Sequence, residues 1–270
     1  MYKIDKPQIG IREFFDNCLP KTPTPHYIQA LTIKEKIISY GQNYDKVTSN
    51  GNIHTLDKCQ DYPVLIKIYN SIYSGAKRKN YDYILSLAHN NICPFCSHGP
   101  VATIDHFLSK KLYTPYALLP YNLVPCCSNC NKNKLEYAPT TKENTLIHPY
   151  YDDVQNICWL KAECLYSNGG YVISYYINKK IDQTTYARLC KQFELLKLGT
   201  IYSSQAARFL PVIKTYVKKM IDEQNCFIDD IKQYLNDEAE RHVPLGINSW
   251  QYAMYEALAK SPDFCNGANF

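Results

Sequence analysis

The sequence contains no apolar run of about 18 residues, the length that a membrane-spanning helix requires. Its N-terminal stretch, MYKIDKPQIGIREFFD, carries charges where a secretory signal peptide has an apolar segment. We therefore expect no membrane segment and a cytoplasmic location. Internal repeats and low-complexity tracts are also missing from the sequence, which excludes a repeat array.

A strong net charge and a long basic run are missing as well. The 30 Lys and Arg residues against 25 Asp and Glu residues leave a net charge of only +5. This balance permits contact with nucleic acid but does not predict it, because an electrostatic footprint is a local concentration of Lys and Arg. We expect any affinity for nucleic acid to come from a local patch, or from a partner that delivers the substrate.

The first part of the chain is predicted to be mostly helical. Residues 1–25 are rich in proline and are expected to form an extended arm. The spacing of apolar residues then predicts three helices, over 27–42, 62–75 and 79–91. We expect the first helix to stop at Gly41 and the second to end near Gly75.

The last part of the chain predicts a β-hairpin followed by helices. Residues 157–178 alternate around the turn Asn168-Gly169-Gly170, which is typical of a hairpin. Four helices are then predicted, over 184–198, 203–224, 227–241 and 249–261. Pro211 is expected to kink or interrupt the second of them.

Between about 92 and 150 the segments are short and rich in turns, and such a centre is too small to be stable by apolar burial alone. We therefore predict an α+β protein in three parts. A mostly helical region covers 1–90, a small metal-stapled core covers 91–155, and the β-hairpin with its helices covers 156–270.

Two C-x-x-C pairs bracket this centre, Cys93 with Cys96 and Cys127 with Cys130. A two-residue spacer lets both thiolates reach one ion, and two such pairs complete the tetrahedral four-sulfur shell of structural zinc. A redox dithiol is disfavoured because no βαβ pattern surrounds either pair. We predict a structural Zn²⁺ site, which can supply on the order of 10 kcal/mol of apparent folding free energy.

Cys126 is the alternative to Cys127 as a metal ligand, but its spacer to Cys130 would be three residues long. Cys126 also follows Leu123-Val124-Pro125, and a side chain at such a position normally packs in the apolar core. We expect Cys126 to be a core residue. The other cysteines are scattered singly and are expected to be inert thiols. They are Cys18, Cys59, Cys158, Cys164, Cys190, Cys226 and Cys265.

The polar residues between the pairs follow a recognisable order. It is C-x-x-C, then Asp105-His106, then Asn122 in N-L-V-P, then C-x-x-C followed by Asn131-x-x-Lys134. This order resembles the HNH nucleases, the ββα-metal family, over roughly residues 90–150 and not over the flanks. The resemblance implies a small ββα-metal core.

Phosphodiester hydrolysis needs a base for the attacking water and a divalent cation for the developing charge. The resemblance implies that His106 is the general base, and histidine, with an ordinary pKa of about 6.5, is largely neutral at cellular pH. Asp105 and Asn131 match ligands of a catalytic ion, and such hard oxygen ligands suit Mg²⁺ or Mn²⁺. Asn122 matches a central asparagine that holds the loop and helps to orient the histidine.

Several of these residues also have simpler interpretations. Lys110 and Lys134 match positions where basic residues touch substrate phosphates, but Lys132 and Lys134 are equally typical of a solvated helix face. Asn131 could be a helix N-cap, and Asn122 could be purely structural. In the same way, an Asp-His pair is often an ordinary loop or core pair.

The segment Ile147-His148-Pro149-Tyr150-Tyr151-Asp152-Asp153 follows the second cysteine pair closely. Stretches like HPYxD recur in bacterial HNH proteins, often at this place. His148 is therefore expected either to line the metal site or contact substrate, or simply to pack.

The predicted function is a metal-dependent HNH endonuclease that hydrolyses DNA. RNA is a less favoured substrate, although the site reads a phosphate rather than a base. One site cuts one strand, so a double-strand break would need a homo-oligomer or two successive events.

The helical flanks match no DNA-reading module. Compact HNH proteins with helical additions resemble effectors of bacterial anti-phage systems, such as Septu-type or retron-associated nucleases working with an ATPase, and we expect such a partner by analogy. The alternative is a zinc-stapled module that binds nucleic acid or protein without catalysis. Against it stands the complete set of Asp105, His106 and Asn131, which such a module would not need.

Overall fold

A computed structural model describes residues 1–20, 22–72 and 77–270 of the chain. Helices and two small two-stranded sheets make up the protein, which is therefore of the predicted α+β class. The chain divides into two compact units, Met1–Asp153 and Val154–Phe270. Within the described ranges, no helix combines the length and apolarity needed to cross a membrane.

The first unit begins with four helices. They are α1 (Ile11–Cys18), α2 (Pro25–Ser49), α3 (Pro63–Asn70) and α4 (Arg78–Ser86). The prediction of an extended N-terminal arm is wrong over α1, because Phe14, Phe15 and Cys18 form one buried face of that helix. The predicted helix end near Gly75 lies outside the described residues.

Helix α2 continues past Gly41, where the sequence predicts its end. A Cβ atom at this position would lie 2.9 Å from Leu119 Cδ1 and 3.1 Å from two carbons of Ile11. Glycine in a helix interior costs about 1 kcal/mol relative to alanine. Here the missing side chain allows α2 to approach its neighbours closely, so Gly41 serves packing rather than helix termination.

The predicted metal-stapled segment forms a short hairpin and a short helix. Strand β1 (Thr103–His106) pairs antiparallel with β2 (Leu123–Cys126), and helix α5 (Ser128–Lys134) follows. Ile104 and Leu123, one from each strand, belong to the same buried apolar cluster as residues of α1 to α4. The hairpin therefore lies directly on the helical core, and β1 carries Asp105 and His106 at its end.

The second unit opens with the predicted β-hairpin, β3 (Leu160–Ser167) and β4 (Gly170–Ile177). Asn168 and Gly169 form its turn with φ values of 52° and 79°, as a two-residue turn of type I′ requires. Its helices are α6 (Gln183–Leu195), α7 (Leu198–Asp222), α8 (Ile228–Arg241), α9 (Trp250–Ala259) and α10 (Pro262–Cys265). Helix α7 runs continuously through Pro211, so this proline does not interrupt it, and Leu210 and Ile213 on the same turn are buried.

Candidate metal centre and cleft

Four buried cysteines meet in the first unit, Cys93, Cys96, Cys127 and Cys130, with their sulfur atoms all within 4.8 Å of one another. The Sγ atoms of Cys96 and Cys127 are 3.9 Å apart. A tetrahedral shell with zinc–sulfur distances of about 2.3 Å separates its sulfurs by roughly 3.8 Å. The four residues can therefore bind a structural metal such as zinc.

Backbone amides support this cluster. Gly99 N–H donates to Cys96 Sγ (3.3 Å), and Cys130 N–H donates to Cys127 Sγ (3.4 Å). Cys127 is also the N-cap of α5, so the helix starts at a cluster residue. Hydrogen bonds from the neighbouring thiols, above all Cys130, lower the pKa of Cys127, which favours the thiolate that a metal requires.

Cys126 is fully buried and lies outside this cluster, as predicted. It pairs with Thr103 in the β1–β2 register, and burial raises its pKa well above that of a free thiol. The neighbouring cysteines 126 and 127 thus occupy different environments, one in the sheet and one in the cluster.

A cleft of about 170 Å³ lies beside β1 and α5. Asp105, His106, Lys110 and Asn131 all contribute to its lining. Asp105 and His106 come from the end of β1, Lys110 from the loop after it, and Asn131 from the middle of α5. The structure thus brings four of the predicted site residues together at one concave surface.

Asp105 is buried, and its carboxylate forms an ion pair with Lys134, with 2.9 Å between Oδ2 and Nζ. No donor among the described residues approaches that oxygen with the geometry of a hydrogen bond. Burial raises the pKa of Asp105, against the opposing effect of the Lys134 ammonium. The Asp105 carboxylate, with Lys134 as its counter-ion, also contributes to the lining of the cleft.

The backbone determines the tautomer of His106. Its Nε2 lies 3.0 Å from the carbonyl oxygen of Ala117, and because a carbonyl only accepts, Nε2 must carry the proton. The lone pair of the neutral ring is then on Nδ1. The Tyr69 ring packs edge-on at a centroid distance of 4.3 Å. Burial, helped by the charge of Lys110, lowers the pKa of His106 to about 3, so the ring is neutral at cellular pH.

Lys134 does not lie on a solvated helix face, since it is only 1% exposed. Besides the ion pair with Asp105, its Nζ donates to the backbone oxygen of His106 at 2.7 Å. Lys134 therefore ties α5 to both residues at the end of β1. This internal position differs from the surface contact with phosphate that the sequence pattern suggests, because the ammonium is engaged inside the protein.

Asn131 and Lys110 remain accessible at the cleft. The N-cap of α5 is Cys127, so Asn131 is an interior helical residue and not the cap. Its side-chain nitrogen lies 3.3 Å from Thr103 Oγ1, which leaves the amide oxygen for a ligand. Lys110 is half-buried, donates to Asn70 Oδ1 (3.0 Å), and lies 4.4 Å from the centroid of the Tyr69 ring.

Asn122 is fully buried, and its side chain is saturated with hydrogen bonds. Its Oδ1 accepts from Leu108 N–H (2.7 Å) and from the Tyr44 hydroxyl (3.1 Å). Its Nδ2 donates to the backbone oxygens of Leu108 (3.0 Å) and Tyr116 (3.1 Å). Four bonds use the full capacity of an amide, so Asn122 holds the loop that follows His106 and does not line the cleft.

His148 belongs to the same buried network. The backbone N–H of Tyr150 donates to its Nδ1 (3.2 Å), so in the neutral ring Nε2 is the donor, at 3.1 Å from the Tyr44 hydroxyl. The Tyr44 hydroxyl then donates to Asn122. His148 also stacks on Phe107 with ring centroids 4.0 Å apart. Of the two predicted roles for His148, these contacts support packing.

Sequence reasoning missed three residues near the site. Tyr44 supports Asn122 from α2, Tyr69 contacts the His106 ring from α3, and Leu135 lies at the cleft immediately after α5. The 25 tyrosines of the chain leave no compositional signal for the first two. Leu135 follows the C-x-x-C-N-x-x-K pattern directly, which is the one local signal that could have drawn attention to it.

Comparison with known proteins finds a distant relative from a bacteriophage. No family model and no solved structure matches the chain. The chain is 27% identical over 264 residues to Protein ea31 of Escherichia phage lambda, an alignment that covers 84% of this chain and 86% of the phage protein. The similarity therefore extends over most of the length of both proteins.

Proposed function

We propose that this protein is a metal-dependent endonuclease of the HNH type that hydrolyses phosphodiester bonds in DNA. The observation that carries the proposal is the meeting of Asp105, His106 and Asn131 at one cleft, although Asn131 is distant from the other two in the sequence. The hairpin β1–β2 and helix α5, joined by the cysteine cluster, form an arrangement of two strands and a helix that fits a ββα-metal core.

His106 has the features of a general base. With its proton on Nε2, the ring offers Nδ1 to take a proton from an attacking water. A pKa of about 3 makes it a weak base in the free protein. Part of that lowering comes from the charge of Lys110, and a phosphate bound at the cleft would oppose this effect and raise the pKa toward a more effective value.

The ligands at the cleft fit a hard divalent cation. Asp105 supplies a carboxylate at the cleft, and Asn131 supplies an amide oxygen. When bound there, Mg²⁺ or Mn²⁺ would stabilise the negative charge that develops on the phosphate and the leaving oxygen. Lys134 holds Asp105 in place, and Lys110 is the basic side chain at the cleft that can contact a phosphate. Zinc at the four cysteines would be purely structural.

The finer parts of the proposal concern substrate and partners. We propose DNA before RNA, and a role as the nuclease effector of an anti-phage system together with a partner such as an ATPase. The relative in phage lambda gives the defence role no support of its own. A second candidate function is a non-catalytic zinc module that binds nucleic acid or protein, for which the cysteine cluster alone would suffice.

Nicking of supercoiled plasmid DNA tests the proposal. We expect wild-type protein to nick DNA in the presence of Mg²⁺ or Mn²⁺, His106→Ala to lose at least about 100-fold in rate, and His26→Ala, an exposed change on α2, to match wild type. Activity lost on chelation should return with Mg²⁺ while the zinc content stays constant.

Equal nicking by wild type and His106→Ala would contradict the mechanism. If neither the isolated chain nor the complex recovered with its co-purifying proteins cleaved DNA, the non-catalytic module would be favoured.

A further inference from the structure

Leu135 has an unusual position at the edge of the cleft. Its side chain is 72% exposed, and it lines the same cleft as Asp105, His106 and Asn131. Single exposed leucines are common on protein surfaces and are not by themselves evidence of a function. Two further observations set this one apart.

The first observation is backbone conformation. Leu135 has φ 49° and ψ −133°, a combination that side chains with a Cβ rarely adopt. The other positive-φ residues in the described part of the chain are glycines, asparagines, one serine and one lysine. Leu135 is the single bulky apolar residue in this set. Glycine would adopt this conformation without strain, so a leucine at this position has an energetic cost.

The second observation is that the backbone at Leu135 is anchored next to the proposed catalytic residues. Leu135 N–H donates to the Asn131 carbonyl (3.2 Å), and the preceding residue, Lys134, is bonded to Asp105 and to the backbone of His106. The backbone that carries this exposed apolar side chain is thus anchored next to Asp105 and His106. Lys110, Lys111 and Glu136 line the same cleft as Leu135, and the Glu136 carboxylate forms an ion pair with Lys111.

We propose that Leu135 is a wedge that inserts between stacked base pairs of duplex DNA next to the phosphate in the cleft. This inference rests on the proposed nuclease function and narrows its substrate to a duplex. Aliphatic wedges part base steps from the minor groove and kink the helix, whereas proteins that hold single strands use aromatic side chains on which bases stack. The strained backbone keeps the wedge extended before DNA arrives.

The test compares Leu135→Ala and Leu135→Gly with Val212→Ala, a control at a 70% exposed apolar residue of the second unit. Cleavage of duplex and of single-stranded DNA of the same sequence is measured for each protein. We expect both Leu135 variants to lose on the order of tenfold in kcat/KM on the duplex, to change little on the single strand, and Val212→Ala to match wild type. Leu135→Gly should also raise the Tm, because it removes the backbone strain.

A second readout does not depend on cleavage. A duplex that carries 2-aminopurine at the cleavage step is titrated with His106→Ala protein, and we expect a rise in fluorescence from base unstacking. The rise should disappear when Leu135→Ala is added to His106→Ala.

The outcomes separate the two proposals. If wild type nicks DNA but Leu135→Ala cleaves the duplex equally well, or retains the fluorescence rise, the wedge is wrong and the nuclease stands. An equal loss on single strands also overturns the wedge. If wild-type protein neither cleaves DNA nor binds the duplex, the proposed function fails, and the wedge fails with it.

Discussion

Gly99 offers a sharp test of the metal centre. A Cβ atom at this residue would lie 3.0 Å from Cys127 Cβ and 3.1 Å from Cys127 Sγ. Rotation of the Cys127 side chain cannot relieve the first contact, because the backbone fixes the position of its Cβ. We therefore expect Gly99→Ala to shift the loop that carries Cys96, or the start of α5, by a few tenths of an ångström and to change the distances between sulfurs that would share one ion.

The expected effect follows from the cost of overpacking. An extra methyl group in a tightly packed site typically costs about 1–3 kcal/mol. Since 1.4 kcal/mol corresponds to a factor of ten, we expect zinc affinity to fall roughly 5- to 140-fold in Gly99→Ala. The measurement is competition against a chelator of known affinity, combined with the zinc content of the purified protein and thermal unfolding with and without zinc.

Gly170→Ala is the matched control, because no heavy atom lies within 4 Å of a Cβ built at that glycine. Its zinc affinity should equal that of wild type. An affinity of Gly99→Ala within twofold of wild type would refute the reasoning, since the clash would then not reach the sulfurs. Wild-type protein without bound zinc would refute the metal centre itself.

Three further variants probe the support of the cleft by urea unfolding. Lys134→Met should lower the free energy of unfolding by about 3–5 kcal/mol near pH 7, because it leaves the Asp105 carboxylate buried without its ion-pair partner; adding Asp105→Asn should restore most of the loss. Burial already raises the folded-state pKa of Asp105, and loss of the Lys134 ammonium, which opposes this effect, raises that pKa further in the variant. The Lys134→Met defect should therefore shrink as pH falls through the pKa of Asp105 in the variant, and an unchanged defect would contradict the buried charge. Asn122→Ala should lower the free energy of unfolding by at least about 2 kcal/mol, because the buried N–H and C=O groups of Leu108 lose their hydrogen bonds to Asn122. Tyr44→Phe should cost about 1–2 kcal/mol, because Asn122 loses one of its four bonds and His148 Nε2–H loses the Tyr44 acceptor. A larger loss for Tyr44→Phe than for Asn122→Ala would contradict the assignment of Asn122 as the main support of the loop.

The features that the sequence predicts well are determined by short spacings. The two-residue spacers of the cysteine pairs directly limit how their thiolates can point, so the cluster follows once the two pairs meet. Asn168-Gly169 likewise specifies a turn with two positive φ values through the residue types alone. In both cases the determining interactions lie within a few residues along the chain.

The features that the sequence misses depend on contacts between distant segments. Helix α1 has only eight residues, and an isolated helix of that length is unstable in water, so it exists because Phe14 and Phe15 pack into the core. Gly41 is typical of a helix end when its neighbours are unknown. Only the approach of Leu119 and Ile11, each far away in the sequence, explains its place inside α2.

Lys134 lies between these two cases. It follows Cys130 by one helical turn, so both residues occupy the same face of α5, and a buried Cys130 places Lys134 on the inner side of the helix. The spacing of the predicted zinc ligands therefore already implies that Lys134 is buried, although the sequence pattern predicts that this lysine contacts a phosphate at the surface. A buried ammonium needs an opposite charge. The acid that supplies this charge is Asp105, whose carboxylate lies 2.9 Å from Lys134 Nζ. This contact depends on the antiparallel pairing of β1 with β2, which is a long-range interaction. Asn131, on the accessible side of the same helix, faces the cleft.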